Sequence, residues 1–327
     1  MYTLDDDIEN PALNETHFAL HAYDKRLSHF CALIKKQLKK TLQRSSLLLV
    51  LYLGLLCLQF ALILTYLTTY FVGIFLTSFF VSLFLIFPYY YFLKAKKNQK
   101  MHFLLDEFTK MCCGQVQSMN DTQESLFVIS YGTLLLKTKI ASLENQVFEP
   151  PKWLFFFQDF LSILSKALHA SDLFYFQELA LKKSKQSRIE LIQMDPQNSK
   201  YHVKLALIFL EMANFYSQYD ESKKEKKSLL LAEQELKIVI AYNPSDVWGY
   251  SQLASCYARL NNTKNQIKVL EKLVCLTPNK SEVLKNLGTL YFQMGKNKKG
   301  LEIFERLKEQ SNELAKEMLK FFGAVND

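Results

Sequence analysis

From Ser46 to Leu93 the chain holds no Asp, Glu, Lys, Arg or His. As one helix at about 1.5 Å per residue this stretch would reach roughly 72 Å. A hydrocarbon core is about 30 Å thick and takes about 20 residues per crossing. One straight crossing leaves more than half of the stretch in water. Two spans, Ser46–Thr65 and Phe71–Phe92, are therefore expected, with a turn at Tyr66-Leu67-Thr68-Thr69-Tyr70 where hydroxyls concentrate. Tyr70 and Tyr89-Tyr90-Tyr91 fall near the span ends, the depth that amphipathic rings favour. Pro88 lies in the last turn of the second span, where a lost backbone bond is easiest to satisfy. The alternative is one span plus one buried helix. The segment starts too deep and runs too long for a cleaved signal peptide. Gly54 and Gly73 form no small-x-x-x-small motif with each other, so no packing interface is predicted.

Charge around the segment predicts its orientation. Lys35, Lys36, Lys39, Lys40 and Arg44 precede it, and Lys94, Lys96, Lys97 and Lys100 follow it. Lys and Arg next to a span stay on the cytoplasmic side. Both flanks are basic, which is self-consistent only with an even number of crossings. The expectation is an integral membrane protein with two spans and both termini cytoplasmic, in a bacterial inner membrane. The 327-residue chain has a formal net charge of +8, but Lys25–Leu105 contains eleven basic and no acidic residues, which leaves −3 for the rest. The positive charge is thus a collar suited to a bilayer with anionic headgroups. A nucleic-acid partner is not expected, because the tail lacks a domain-wide basic footprint.

Glycine (9) and proline (7) are scarce, which suits a nearly all-helical chain. The six cysteines form no C-x-x-C pair and no zinc spacing, consistent with a reducing compartment. His17, His21 and His29 lie close to one helix face, but no third ligand or H-E-x-x-H pattern accompanies them, and no metal or cofactor is expected. No P-loop, G-x-G-x-x-G, G-x-S-x-G or H-E-x-x-H motif is present, and the spans carry no acid or base, so no enzyme is predicted.

Four regions follow. Residues 1–45 are an acidic end plus a basic amphipathic helix, expected over Glu15–Gln43. Phe18, Ala22, Leu27, Phe30, Ile34 and Leu38 repeat along it at helical spacing. That periodicity suits either the membrane surface or packing on other helices. Residues 46–93 are the hairpin. Residues 94–195 are a helical region with predicted helices at Met101–Met119, Leu126–Leu143, Lys152–His169 and Ser171–Met194, and with Pro150-Pro151 as the sharpest break. Leu126–Ile129 and Leu134–Leu136 are short apolar runs that also suit strands. Trp153-Leu154-Phe155-Phe156-Phe157 reads as core, or as an aromatic anchor at the interface.

Residues 196–327 are punctuated by Pro196, Pro244 and Pro278. Pro244 and Pro278 are 34 residues apart, a period of paired helices. In Val247–Lys280 the large or small residues Tyr250, Leu253, Ala254, Tyr257, Leu270, Leu273 and Pro278 stand at positions 4, 7, 8, 11, 24, 27 and 32. In Ser281–Asn312 the series is Leu284, Leu287, Gly288, Tyr291, Gly295, Phe304 and Leu307 at positions 4, 7, 8, 11, 15, 24 and 27. This pattern resembles the tetratricopeptide-repeat family over Val247–Asn312. It departs from it at Gln266 and Gly300, where Ala is usual, and at Asn312. A third unit is expected upstream, with 14 extra residues read as a long inter-helix turn around Tyr216–Lys227. Residues 165–198 read as a degenerate fourth unit, against which Asp172 at position 8 argues. Glu313–Phe322 suits a capping helix.

The fold class expected is all-α, a transmembrane helical hairpin followed by an α-solenoid of such helix pairs. The resemblance implies a protein or peptide partner, held in a groove lined by the first helix of each unit. By position its groove residues are Trp248, Ser251, Ser255 and Arg259, then Lys285, Thr289, Phe292 and Gln293. Val203 and Leu207 stand where the family's carboxylate clamp begins, so that ligand is not implied. The function expected is a membrane-anchored scaffold or adaptor for a cytoplasmic protein. The alternative is a secreted bacterial effector inserted in a host membrane, since two apolar lobes around a tiny turn resemble the bilobed segment of inclusion-membrane proteins.

Overall fold

The computed structural model describes residues 11–65, 72–114, 122–141, 143 and 158–322. The acidic end to Asn10, the turn Tyr66–Tyr70, Pro150-Pro151 and Trp153–Phe157 lie outside the described residues. Eleven helices are described: α1 (Pro11–Thr65), α2 (Val72–Cys113), α3 (Thr122–Ala141), α4 (Gln158–Met194), α5 (Ser199–Gln218), α6 (Ser222–Tyr242), α7 (Val247–Arg259), α8 (Thr263–Leu276), α9 (Ser281–Gln293), α10 (Asn297–Gln310) and α11 (Asn312–Leu319). Among the described residues no strand forms, and both short apolar runs that suited strands lie in α3. The chain divides into two compact units, Ala19–Ser187 and Arg188–Asp327 with Met1–Phe18.

In the first unit, α1 and α2 run unbroken through residues 45/46 and 93/94, where region boundaries were expected. Their apolar halves lie antiparallel. The Tyr52 hydroxyl donates to the Ser82 carbonyl, and Gln59 Nε2 donates to Ser78 Oγ at 3.3 Å. Tyr52 stacks on Tyr89 with centroids 5.1 Å apart, and Phe60 meets Phe79 at 5.9 Å. The outer surfaces of both helices are apolar and uncovered: Phe84 is 80% exposed and Ile74 65%. Leu76–Cys113 is long and apolar enough to cross a membrane, with none of its apolar window buried, and Gly54–Thr65 is a shorter apolar stretch. Among the described residues of the two apolar halves, most of the large side chains are exposed.

The other halves of the same helices build a core. Leu27, Cys31, Ile34, Leu38 and Leu42 repeat at three-to-four spacing and are fully buried. They meet Met101, Leu104 and Phe108 of α2, Val128, Leu136 and Ile140 of α3, and Leu173 and Phe176 of α4. Burying such a side chain contributes roughly 1.5–3 kcal/mol, so this face of α1 is spent on packing against helices. A Cβ on Gly132 would stand 3.1 Å from Cys112 Sγ and 3.3 Å from Leu27 Cδ2, so glycine permits the approach of α3.

Helix α4 corrects two expectations. It has no break at residues 170–171, because no Pro or Gly interrupts it. Asp172 is buried inside it and pairs with Lys97 Nζ at 2.5 Å. A continuous helix from Gln158 to Met194 also leaves no turn for a helix pair at 165–198.

In the second unit, α5–α6, α7–α8 and α9–α10 are three helix pairs, and α11 caps the last. Pro196, Pro244 and Pro278 each stand three residues before the first helix of a pair. Asn198 and Asp246 then cap α5 and α7 through the N–H groups of Lys200 and Trp248. The turn inside every pair is the same. Asp220, Asn261 and Gly295 have φ of 58°, 56° and 70°, a region open to Gly and tolerated by Asn and Asp. The next N–H in each case, of Glu221, Asn262 and Lys296, donates to the carbonyl of Tyr216, Tyr257 and Tyr291.

This equivalence corrects the long turn expected at Tyr216–Lys227. The turn is as short as the others, and the 14 extra residues lengthen the helices. α5 has 20 residues against 13 in α7, and α6 has 21 against 14 in α8. Seven residues are two helical turns, about 10 Å, and keep the buried face in register. Ser222–Lys227 contains no helix breaker, so its charges mark a solvated face.

Candidate binding face of the helix pairs

Each first helix buries one side and leaves one stripe uncovered. On α7, Gly249, Leu253, Ala254, Cys256 and Tyr257 are buried. Trp248, Ser251 and Arg259 are half-buried and Ser255 is exposed, spaced three to four apart on the other side. On α9, Lys285 and Thr289 are half-buried and Gln293 is exposed. The structure thus brings together on one stripe of α7 the residues expected there by position.

Three of the eight expected residues are engaged within the fold. Phe292 is fully buried, its ring edge-on to Phe322 at 5.2 Å, and it occupies the space a Cβ on Gly300 would need. It is a core residue, which corrects its expected place on the groove: the end of the cap covers it. Lys285 pairs with Glu317 of α11 at 2.6 Å. That hydrogen bond raises the Lys285 ammonium and lowers the Glu317 carboxyl relative to their ordinary ranges. Arg259 donates to Asn214 of α5 at 2.6 Å and pairs with Glu225 of α6 at 2.7 Å, tying α7 to the lengthened pair. Gly288 admits Met318 of the cap, and a Cβ there would also stand 3.1 Å from Ile303 Cγ2.

Adjacent pairs are joined by a tyrosine that recurs. Tyr257 donates to Glu233 at 3.0 Å and Tyr291 to Glu271 at 2.5 Å, each reaching the second helix of the preceding pair. Burial, then the carboxylate bond, pushes both phenols above their ordinary range. In the lengthened pair His202 Nδ1 meets Glu235 at 2.7 Å, and its Nε2 faces the Pro196 carbonyl at 3.2 Å, which Tyr242 also contacts.

α5 contributes a stripe that sequence position alone had passed over. Lys200, Lys204, Leu207 and Glu211 follow at i, i+4, i+7 and i+11 and are all half-buried. They lie on the side of α5 away from His202, Leu205 and Phe209. Burial, then the like charge of Arg188, lowers Lys204 to about 8. Burial likewise lowers Arg188 to about 10. No motif marks this site; the signal was a lysine one turn before a leucine on a stripe otherwise read as a failed clamp.

The basic collar divides by depth. Lys36, Lys40, Arg44, Lys94, Lys96 and Lys100 are exposed, while Lys35 and Lys39 are half-buried. Lys97 is held by Asp172.

No protein-family model matches the chain, and no curated protein matches it in sequence. Among solved structures, MamA of AMB-1 is similar with TM-score 0.33 and 17% identity over 57% of this chain and 88% of that one. MamA from Desulfovibrio magneticus RS-1 gives 0.33 and 15% over 59% and 97%. YrrB, a TPR protein with an unusual peptide-binding site, gives 0.34 and 14% over 70% and 97%. Likeness at this level carries no argument here. The all-α solenoid rests on this chain's own repeated turns, caps and tyrosine bonds.

Proposed function

We propose that the chain is a membrane-anchored scaffold: its apolar hairpin crosses the bilayer twice, both termini face the cytoplasm, and its helix pairs bind a protein partner. The observation that carries the reading is the hairpin's uncovered apolar surface. Leu51, Leu55, Leu58, Phe60, Leu64, Ile74, Phe80, Val81, Phe84 and Phe92 are all at least half exposed. A soluble protein rarely exposes so large a contiguous apolar surface, whereas lipid covers it and the helices satisfy their own backbone bonds. The exposed cations at the hairpin base suit anionic headgroups. The uncovered stripes of α5 and α7, with Trp248 among hydroxyls, suit a peptide segment, Trp being a frequent anchor in interfaces.

Membrane fractionation with a photo-reactive residue in place of Trp248 tests both halves. The expected result is a carbonate-resistant protein carrying a discrete protein adduct. Extraction by carbonate would remove the anchor from the account, and an integral protein without adduct would reduce the helix pairs to a structural tail.

A further inference from the structure

Side-chain contacts fix how far α4 stands along α2. Lys97 pairs with Asp172 at 2.5 Å, and further along His102 meets Tyr175 at 2.8 Å with the rings 5.9 Å apart. The two pairs are separated by 75 and 73 residues in sequence. Ser184 then bonds to Ser130 of α3, and nearby Gly132 packs on Cys112 of α2, which carries the same alignment to the far end. α4 therefore runs parallel to α2, each residue level with the α2 residue about 74 places earlier, since both rise equally per residue. The helix does not stop at the Lys97–Asp172 pair. It continues back to Gln158, a further fourteen residues or about 21 Å. By this alignment Gln158–Ala170 stands level with roughly residues 84–96 of α2. There α2 holds exposed Phe84, Leu85, Tyr90, Tyr91 and Phe92, then Lys94 and Lys96 of the collar. Ile163, level with about Tyr89, is 67% exposed, the most exposed large apolar side chain described outside α1 and α2. Composition changes at the same place. Gln158–Ala170 contains two residues of Asp, Glu, Lys and Arg, Asp159 and Lys166, whereas Ser171–Met194 contains seven.

Resting on the reading of the hairpin as crossing a bilayer, we infer that the first turns of α4, Gln158–Ala170, are a third membrane contact, seated in the cytoplasmic headgroup layer and the acyl chains just above it. Lipid is the occupant because this stretch shares its depth with the uncovered end of the hairpin, and a bilayer that covers Phe84 and Tyr91 reaches Ile163 as well. The stretch does not cross. Thirteen residues reach about 20 Å, short of a hydrocarbon core of about 30 Å. Its two charges suit the interface. Lys166 is level with about Phe92, beside the collar that meets anionic headgroups. Asp159 lies in the first turn, where the helix N-terminus favours a carboxylate. The Lys97–Asp172 pair then has a positional role, holding α4 at this height against the hairpin base.

The test is nitroxide depth measurement on the full-length protein in vesicles of phosphatidylethanolamine and phosphatidylglycerol. An encoded ketone residue carries the label, so the native cysteines stay in place. It is placed singly at Ile163, at Tyr91 and Phe84 of the hairpin, and at Lys182, an exposed position of α4 farther from the hairpin. Collision with oxygen, which partitions into lipid, is compared with collision with a water-soluble nickel chelate. The expected oxygen-to-nickel ratio at Ile163 matches that at Tyr91 and exceeds that at Lys182, with the highest ratio at Phe84. A ratio at Ile163 equal to that at Lys182, while Phe84 reads as lipid, overturns the inference and leaves the hairpin standing. A label at Ile163 shielded from both reagents also overturns it, because protein rather than lipid then covers that face. Water-like ratios at Phe84 and Ile163 together remove the hairpin reading and the inference with it.

Discussion

The hairpin of α1 and α2 and the pair α7–α8 are both built from consecutive helices laid against each other, yet they place apolar side chains in opposite positions. In the hairpin most of the described large apolar groups are exposed, while Tyr52 reaches the Ser82 carbonyl and Gln59 reaches Ser78 across the two helices. In the repeat, Leu253, Tyr257, Ile267, Leu270 and Leu273 are buried, and the lysines and amides face out. The same secondary structure thus carries two opposite patterns of burial, the first of which suits lipid on the reading proposed above. In water, apolar burial holds helices together. In lipid that drive is absent between helices, and packing with a few interhelical polar contacts takes its place. A single continuous helix, α1, carries both patterns, with Leu42 buried and Leu51 exposed.

Charge placed in the hairpin breaks this contrast most severely. Leu58→Arg with Phe84→Arg is expected to cost about 2.5–3.5 kcal/mol per arginine at the span centre, and so to abolish stable insertion. The insertion fraction by carbonate extraction reads it. The matched pair Ser255→Arg and Gln293→Arg is expected to stay within about 0.5 kcal/mol of wild type. Equal tolerance in both places would erase the distinction between the two regions.

A buried aromatic in the repeat comes next. Phe292→Ala is expected to lose about 3–5 kcal/mol in denaturant unfolding. Gly300→Ala loses about 1–3 kcal/mol by overpacking the same ring, despite its gain in helix propensity. An effect of similar size is expected at Arg259→Glu, about 1–3 kcal/mol from two lost charge-assisted bonds. Adding Glu225→Arg should restore part of it. Recovery of the melting temperature in the double variant distinguishes this pairing from a general effect of charge.

The smallest effect carries a sign. Lys204 is lowered to about 8 in the fold, from 10.5, so its protonation opposes folding. The penalty is full below pH 8 and fades as pH rises toward 10.5, where the unfolded chain also loses the proton. Lys204→Met is expected to be more stable than wild type at pH 7 by about 1 kcal/mol after solvent screening, with the gap closing near pH 10. Thermal melts of the two proteins across that range read the difference. A gap that widens with pH contradicts the placement of Lys204.

Much of this was legible in the residues. An uncharged stretch too long for one crossing implied two helices, and the 34-residue proline spacing implied helix pairs. Those signals are local, because charge and proline act where they stand. What escaped depended on partners. The 14 extra residues at Tyr216–Lys227 suited a loop by their charge, yet lengthening by two turns preserves the buried face of α5 and α6 and buries more. No Pro or Gly breaks α4 near Ser171, and what allows Asp172 to be buried there is Lys97, 75 residues earlier in the chain. Phe292 stood at a groove position in the repeat, but the chain after α11 supplies Phe322 to cover it. The half-burial of Lys204 near Arg188 is likewise a property of α4 and α5 together.

Site-directed labelling with a membrane-impermeant thiol reagent tests the central claim most directly, using single cysteines at Asp5, Thr68 and Val325 in a chain whose six native cysteines are replaced by serine. With intact cells the account predicts that Thr68→Cys alone is labelled, and that Asp5→Cys and Val325→Cys react only after the membrane is opened. Labelling of Asp5→Cys and Val325→Cys on opposite faces, or of all three on the same face, would contradict a hairpin that crosses twice.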